Sequence, residues 1–158
     1  MRRFTPFLLV LALAGCSSAP ESAATPAAQP KPAPAKRLMD HQAALIQEGL
    51  LSSKLVPDHI LDNPKLPGGS LGEYSKKGKK YQLFIVDADT NQAAALMLFD
   101  VKNGLQSPEY ISYMGGYFGS DGKQPVYVFA KKQYVAGIVG LPMNEADPIA
   151  RVLASRLR

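Results

Sequence analysis

The chain has one cysteine, Cys16, in 158 residues, and this limits what it can fold into more than any other feature. No disulfide can close within it. Its two histidines, His41 and His59, stand outside metal-ligand spacing, so no metal site or cofactor is expected. Any domain must therefore be held by burial and hydrogen bonding alone. Residues 38–158 are close to the commonest single-domain size and long enough to bury a core without cross-links.

The segment ahead of that domain has a different character. Arg2 and Arg3 precede an apolar run over residues 4–13 with one proline, Pro6, and the small residues Ala14 and Gly15 follow. This is the three-part layout of a secretory leader, and it is too short to span a bilayer. The tetrapeptide Leu13-Ala14-Gly15-Cys16 resembles the lipobox of bacterial lipoproteins. The resemblance covers only the first sixteen or so residues. It implies cleavage before Cys16, diacylglyceryl transfer to its thiol, and N-acylation. Two or more acyl chains hold a protein firmly on a membrane, where one binds reversibly. Ser17 stands where an Asp would favour the inner membrane, so the resemblance implies the outer membrane, facing the periplasm. Residues 1–15 are then a signal peptide, and residues 16–37 the lipidated cysteine and its tether.

Residues 17–37 contain five prolines and seven alanines. They show no apolar periodicity, so the segment cannot bury enough surface to offset its ordering entropy. As an extended proline-rich spacer it reaches at most about 65 Å. Removing Arg2 and Arg3 lowers the formal charge from +5 to +3, a mild excess that fits an ordinary soluble domain. No nucleic-acid partner is expected at this address.

Within residues 38–158 the pattern predicts an N-terminal helix over residues 38–55, from Met39, Ala43, Ile46 and Leu50 at helical spacing. Gly49 weakens that reading and Pro57 ends it. A loop follows, then strands over residues 70–75 and 81–88 about the turn Lys76-Lys77-Gly78-Lys79. Asp89 or Thr90 caps a helix through Asn103 with the stripe Ala94, Leu98, Val101 and Leu105. Residues 109–114 read as a strand or irregular edge, residues 115–119 as a flexible aromatic-glycine segment, and residues 120–123 as a turn. The clearest hairpin is 126–130 with 134–141, and the run Val135-Ala136-Gly137-Ile138-Val139-Gly140-Leu141 predicts a strand buried on both faces. Asn144 is expected to cap a last helix with Pro148 in its first turn and Ile149, Val152, Leu153 and Leu157 facing inward. Ile85-Val86 before Asn91-Gln92-Ala93 echoes Ile138-Val139 before Asn144-Glu145-Ala146. The expected fold is α+β: an antiparallel sheet from two ββα units, helices packed on one face, preceded by the N-terminal helix.

The candidate binding residues are Lys76, Lys77, Lys79 and Lys80 at one hairpin tip, Lys131 and Lys132 at the other, and Tyr117 and Phe118 in the glycine-rich segment. If the two units are equivalent, both tips point one way and form a basic edge for an anionic headgroup, an anionic polymer or an acidic partner. The plainer reading is that lysines keep turns soluble and strand edges unpaired, and that the aromatics cap the core. Asp87-Ala88-Asp89-Thr90-Asn91 opens like a calcium loop, but Gln92 and Leu98 stand where glycine and glutamate are needed. No catalytic residue is assigned. His59, between Asp58 and Asp62, is the candidate base if the protein is a hydrolase, and no serine lies in a nucleophile elbow. The expected function is a membrane-anchored, non-enzymatic module that binds an envelope protein or polymer. The alternative is a periplasmic inhibitor or immunity protein that plugs a hydrolase with one loop.

Overall fold

The computed structural model describes residues 40–158, in which two strand meanders meet. The expected leader, Cys16 and the tether lie outside the described residues. The first meander is β1 (Leu50–Val56), β2 (Gly69–Lys76) and β3 (Lys79–Asp87). Helix α1 (Asn91–Gly104) carries the chain onward to the second, β4 (Gln106–Ile111), β5 (Gly116–Ser120), β6 (Pro125–Lys131) and β7 (Tyr134–Val139). Helix α2 (Met143–Arg156) ends the fold. The result is an α+β domain with one seven-stranded sheet, ordered β1-β2-β3-β7-β6-β5-β4 and antiparallel throughout. Among the described residues, the strand pairings and both apolar clusters lie within the compact unit Lys36–Arg158.

The two hairpins form where the sequence predicts strands, because each pairs residues with only two between them across its turn: Lys76 opposite Lys79, and Lys131 opposite Tyr134. Lys77 and Gly78 both take positive φ, the conformation a tight two-residue hairpin turn favours. Helix α1 starts at the expected cap: the Thr90 hydroxyl accepts from the Ala93 N–H at 3.1 Å. Its buried stripe is Ala94, Leu98 and Val101, with Leu105 packed beside it.

Four expectations are corrected. First, the N-terminal helix is absent from the described residues. A 3₁₀ turn at Gln42–Ala44 and the strand β1 stand in its place. Gly49 takes φ 77° between them, and pairing with β2 overrides the helical spacing of the apolar residues. Second, the helices pack on opposite faces. Leu83, Ile85, Tyr127, Phe129, Ala136 and Ile138 point toward α2, while Phe84, Val86, Val126, Val128, Val135 and Val139 point toward α1. Strands apolar on both sides need cover on both sides. α1 covers one face because it is the crossover from β3, beside the central β7, to β4 at the edge, and it passes over β7 and β6 on the way. Third, residues 116–120 form the strand β5 rather than a flexible segment.

Fourth, α2 is capped by Pro142 without a side-chain bond, not by Asn144, and Pro148 lies inside the helix rather than in its first turn. Its inward face is Ala146, Ala150, Leu153 and Leu157, while Val152 is 46% exposed. The double burial of β7 holds, since every residue from Tyr134 to Val139 is buried. Gly137 is what permits it: a Cβ there would meet the Tyr127 carbonyl at 2.5 Å and the Phe84 ring at 2.6 Å.

Candidate functional site

Because β3 and β7 are antiparallel neighbours, with Asp87 opposite Tyr134 and Gln82 opposite Val139, their two hairpins point in opposite directions. Lys76, Lys77, Lys79 and Lys80 therefore stand at one end of the sheet, and Lys131 and Lys132 at the other, about 25 Å apart or more along the strands. The single basic edge does not form. Lys79 is also engaged, its ammonium 2.6 Å from Glu145 on α2. Tyr117 and Phe118 point to opposite faces of β5. Tyr117 packs beside Tyr110 at 5.3 Å between ring centres, with the Lys102 ammonium 5.9 Å from its ring, and Phe118 packs on Tyr127 at 6.4 Å. Both rings cap the core, and neither belongs to a loop.

The α1 face is where the domain opens. Its β6–β7 half lies under α1. Its β2–β3 half lies under the β1–β2 connection, in which Ile60 and Leu66 are buried. A groove runs beside that connection, from the gap between β1 and the β5–β6 turn to the C-terminal end of α1. Its polar part encloses about 540 Å³ and is flanked by Lys54, Asp58, His59, Asp62, Asp121 and Lys123. An adjoining part of about 390 Å³ shares Leu61, Asp62, Asp121 and Lys123 and runs over an apolar floor of Leu66, Phe84, Leu105 and Val126. Gln82 and Gln124 add side-chain amides.

One wall is conformationally unusual. His59, Leu61 and Asp62 all adopt left-handed backbone, with φ of 51°, 59° and 58°. L-residues pay about 1–2 kcal/mol each for this region, although Asp tolerates it better than Leu. Buried Ile60 and Leu66 anchor the segment, and main-chain bonds from Asp62 to His59 (2.9 Å) and Asn63 to Ile60 (3.1 Å) close its turn. Backbone strain of this kind gathers at ligand clamps and active sites. The expected candidate base His59 lies here, its Nδ1 3.0 Å from Asp58 Oδ2, with both side chains more than half exposed. The residues lining the polar part carry carboxylates, ammoniums, amides and one imidazole, and no hydroxyl or thiol. The imidazole–carboxylate pair and the neighbouring amides present hydrogen-bond donors and acceptors to a ligand lying in the groove.

The other histidine pairs with a carboxylate in a way its sequence neighbourhood does not signal. His41 Nε2 lies 3.2 Å from Asp87 Oδ2 at the end of β3, and its ring packs edge-on to Tyr134 at 5.0 Å. Ser70 is close by, but its oxygen accepts the main-chain N–H of His41 at 2.8 Å and is fully buried. These residues clip the incoming chain to the sheet and do not form a nucleophile–base pair.

On the α2 face one carboxylate gathers three donors. Tyr113 and Tyr127 hydroxyls donate to Asp147 Oδ1 at 2.7 and 2.9 Å, and Arg151 Nε donates to Oδ2 at 2.9 Å. Burial works to raise the Asp147 carboxyl, but the hydrogen bonds from Tyr113, Tyr127 and Arg151 outweigh it and hold the group below the ordinary carboxylate range. Burial, reinforced by the bond to Asp147, pushes the Tyr127 phenol well above its usual value. The cluster staples α2 to β6 and to the β4–β5 turn.

Among the described residues no group of three or more His, Cys, Asp or Glu could hold a metal ion, and no helix is long and apolar enough to cross a membrane. No protein-family model, curated protein or solved structure matches the chain.

Proposed function

We propose that the protein is a lipid-anchored module of the bacterial cell envelope, held at Cys16 and carried on the tether of residues 16–37, that binds an extended polar partner in the α1-face groove without transforming it. The observation that carries this reading is the groove itself. It sets three carboxylates, three ammoniums, an imidazole and three amides along the walls of an apolar floor. Such a lining complements a segment bearing both charges and hydrogen-bonding groups, as a peptide of an envelope protein or the peptide stems of a wall polymer do. It is poorly matched to a uniformly anionic polymer, which would meet Asp58, Asp62 and Asp121. Apolar contact on the floor supplies affinity, and the placed polar groups supply register.

The inhibitor reading draws support from the same segment, since residues 58–62 form a preset turn beside the groove. It predicts that this turn inserts into a partner's cleft, so that the affinity follows the turn alone. The binding-module reading predicts that both walls matter.

The test uses residues 36–158 immobilised and exposed to detergent-solubilised envelope and, separately, to isolated wall sacculi. One variant carries Asp121→Lys and Lys123→Glu on the wall opposite the turn. A control carries Arg158→Glu at the exposed residue after α2. Specific retention by the parent and the control, lost in the groove variant, supports the proposal. Retention unaffected by the groove variant contradicts it.

A further inference from the structure

A second cavity lies on the α2 face and belongs to no part of the groove. It measures about 260 Å³ and opens between α2, the β2–β3 hairpin and the segment entering β1. Its walls are Ile46, the ring of Tyr81, Pro148, Ile149 and Val152. Lys76 and Glu48 are the charged residues of its lining. The cavity is held open by main-chain clips: Tyr74 Oη donates to the Ile46 carbonyl at 2.8 Å, Arg156 Nη1 to the Leu45 carbonyl at 3.0 Å, and the Ser75 N–H to the Gly49 carbonyl at 3.0 Å. These bonds fix the segment whose side chains form one wall, so the site is preformed. Val152, exposed on a helix whose other large apolar residues are turned inward, has its place at the rim.

We propose that this cavity binds the chain of a single-chain anionic amphiphile, such as an alkyl phosphate or fatty carboxylate, taken up as a monomer. The cavity is too small for a double-chained lipid and suits one short alkyl segment. Charge complementarity selects the head. Lys76 lines the cavity and Lys77 and Lys79 share its hairpin tip, whereas Lys80, next to inward-facing Tyr81, lies on the other face of β3; Glu145 engages Lys79, and Glu48 lines the cavity. The field at the mouth therefore favours an anion, and Glu48 opposes it. That opposition gives the proposal a signed consequence: loss of Lys76 weakens binding and loss of the Glu48 charge strengthens it.

The experiment titrates residues 36–158 with octyl phosphate and, in parallel, with 1-octanol, followed by methyl and amide NMR shifts. Saturable shifts are expected at Ile46, Ile149 and Val152 with both ligands. Val152→Asp should weaken both by about tenfold. Lys76→Glu should weaken octyl phosphate by about fivefold and leave octanol within about twofold. Glu48→Gln should tighten octyl phosphate alone. Val152, Lys76 and Glu48 are all exposed, so the variants fold, and each spectrum reports that directly. Vesicles of phosphatidylglycerol form the third arm. The proposal is overturned if octyl phosphate gives no saturable shifts, if the shifts fall elsewhere, if Lys76→Glu binds as the parent does, or if only vesicles bind. None of these results bears on the groove, which lies across the sheet.

Discussion

On the α2 face, a helix, a clipped entering segment and the Asp147 cluster close over Tyr127 and Phe129. On the α1 face, a crossover helix covers one half of the sheet and an irregular connection covers the other, and a groove remains beside that connection. Both faces bury comparable apolar side chains of the same strands, so the difference lies in the cover. The closed side is secured by charge-assisted hydrogen bonds to one carboxylate. The open side is bounded by a turn with three left-handed residues. The closed face carries more of the stabilising contacts, and the open face is where the proposed extended partner would lie.

The largest expected effect is in the closed core. Leu153→Ala, at a fully buried site in α2, should cost about 2–5 kcal/mol in denaturant unfolding. A cost below about 1 kcal/mol would mean that α2 is not the closing element. Gly137→Ala strikes the shared strand. Its new methyl meets the Tyr127 carbonyl and the Phe84 ring, and a loss of about 1–3 kcal/mol is expected.

Asp147→Ala removes the acceptor of three donors, and about 1–3 kcal/mol is expected near neutral pH. The pH dependence follows from the lowered Asp147 carboxyl. The folded state holds the proton less tightly than the unfolded chain, so the ionised group contributes stability above the unfolded value near 4. That contribution is lost as pH falls through the lower folded value. The gap between parent and Asp147→Ala should therefore narrow in acid, as read by unfolding curves from pH 6 to pH 2. A gap that widens would contradict the assignment.

These elements differ in how far the sequence discloses them. The hairpins about Lys77-Gly78 and Lys132-Gln133 and the helix capped by Thr90 are legible because their partners are close in the chain. The strand β1 is not, because Ile46 and Leu50 at helical spacing fit a helix equally well, and only pairing with β2 decides between them. The opposite placement of the helices is half-written in the run 135–141: a strand apolar on both sides needs two covers, which conflicts with helices on one face. The direction of the lysine tips depends on β3 lying against β7, a contact set by topology. The groove is the least legible feature. Asp62 and Lys123 are distant in sequence, and neither His, Leu nor Asp announces a left-handed backbone as glycine would. His59 was marked by its flanking carboxylates, but its partners across the groove were not.

The smallest expected stability change is on the open side. Asp62→Gly relieves a left-handed residue at an exposed position with φ 58°. It should leave stability unchanged or raise it by up to about 1 kcal/mol, while weakening retention of the groove's partner. A clear loss of stability would show that the turn serves the fold instead.

The most direct measurement of the central claim compares three immobilised forms of residues 36–158 against the same solubilised envelope. One is the parent. One carries Asp121→Lys and Lys123→Glu in the groove. One carries Lys76, Lys77, Lys79, Lys80, Lys131 and Lys132 changed to Glu at the two tips. The groove account predicts that the partner retained by the parent is kept by the tip variant and lost by the groove variant. A partner lost on tip reversal and kept by the groove variant would contradict it.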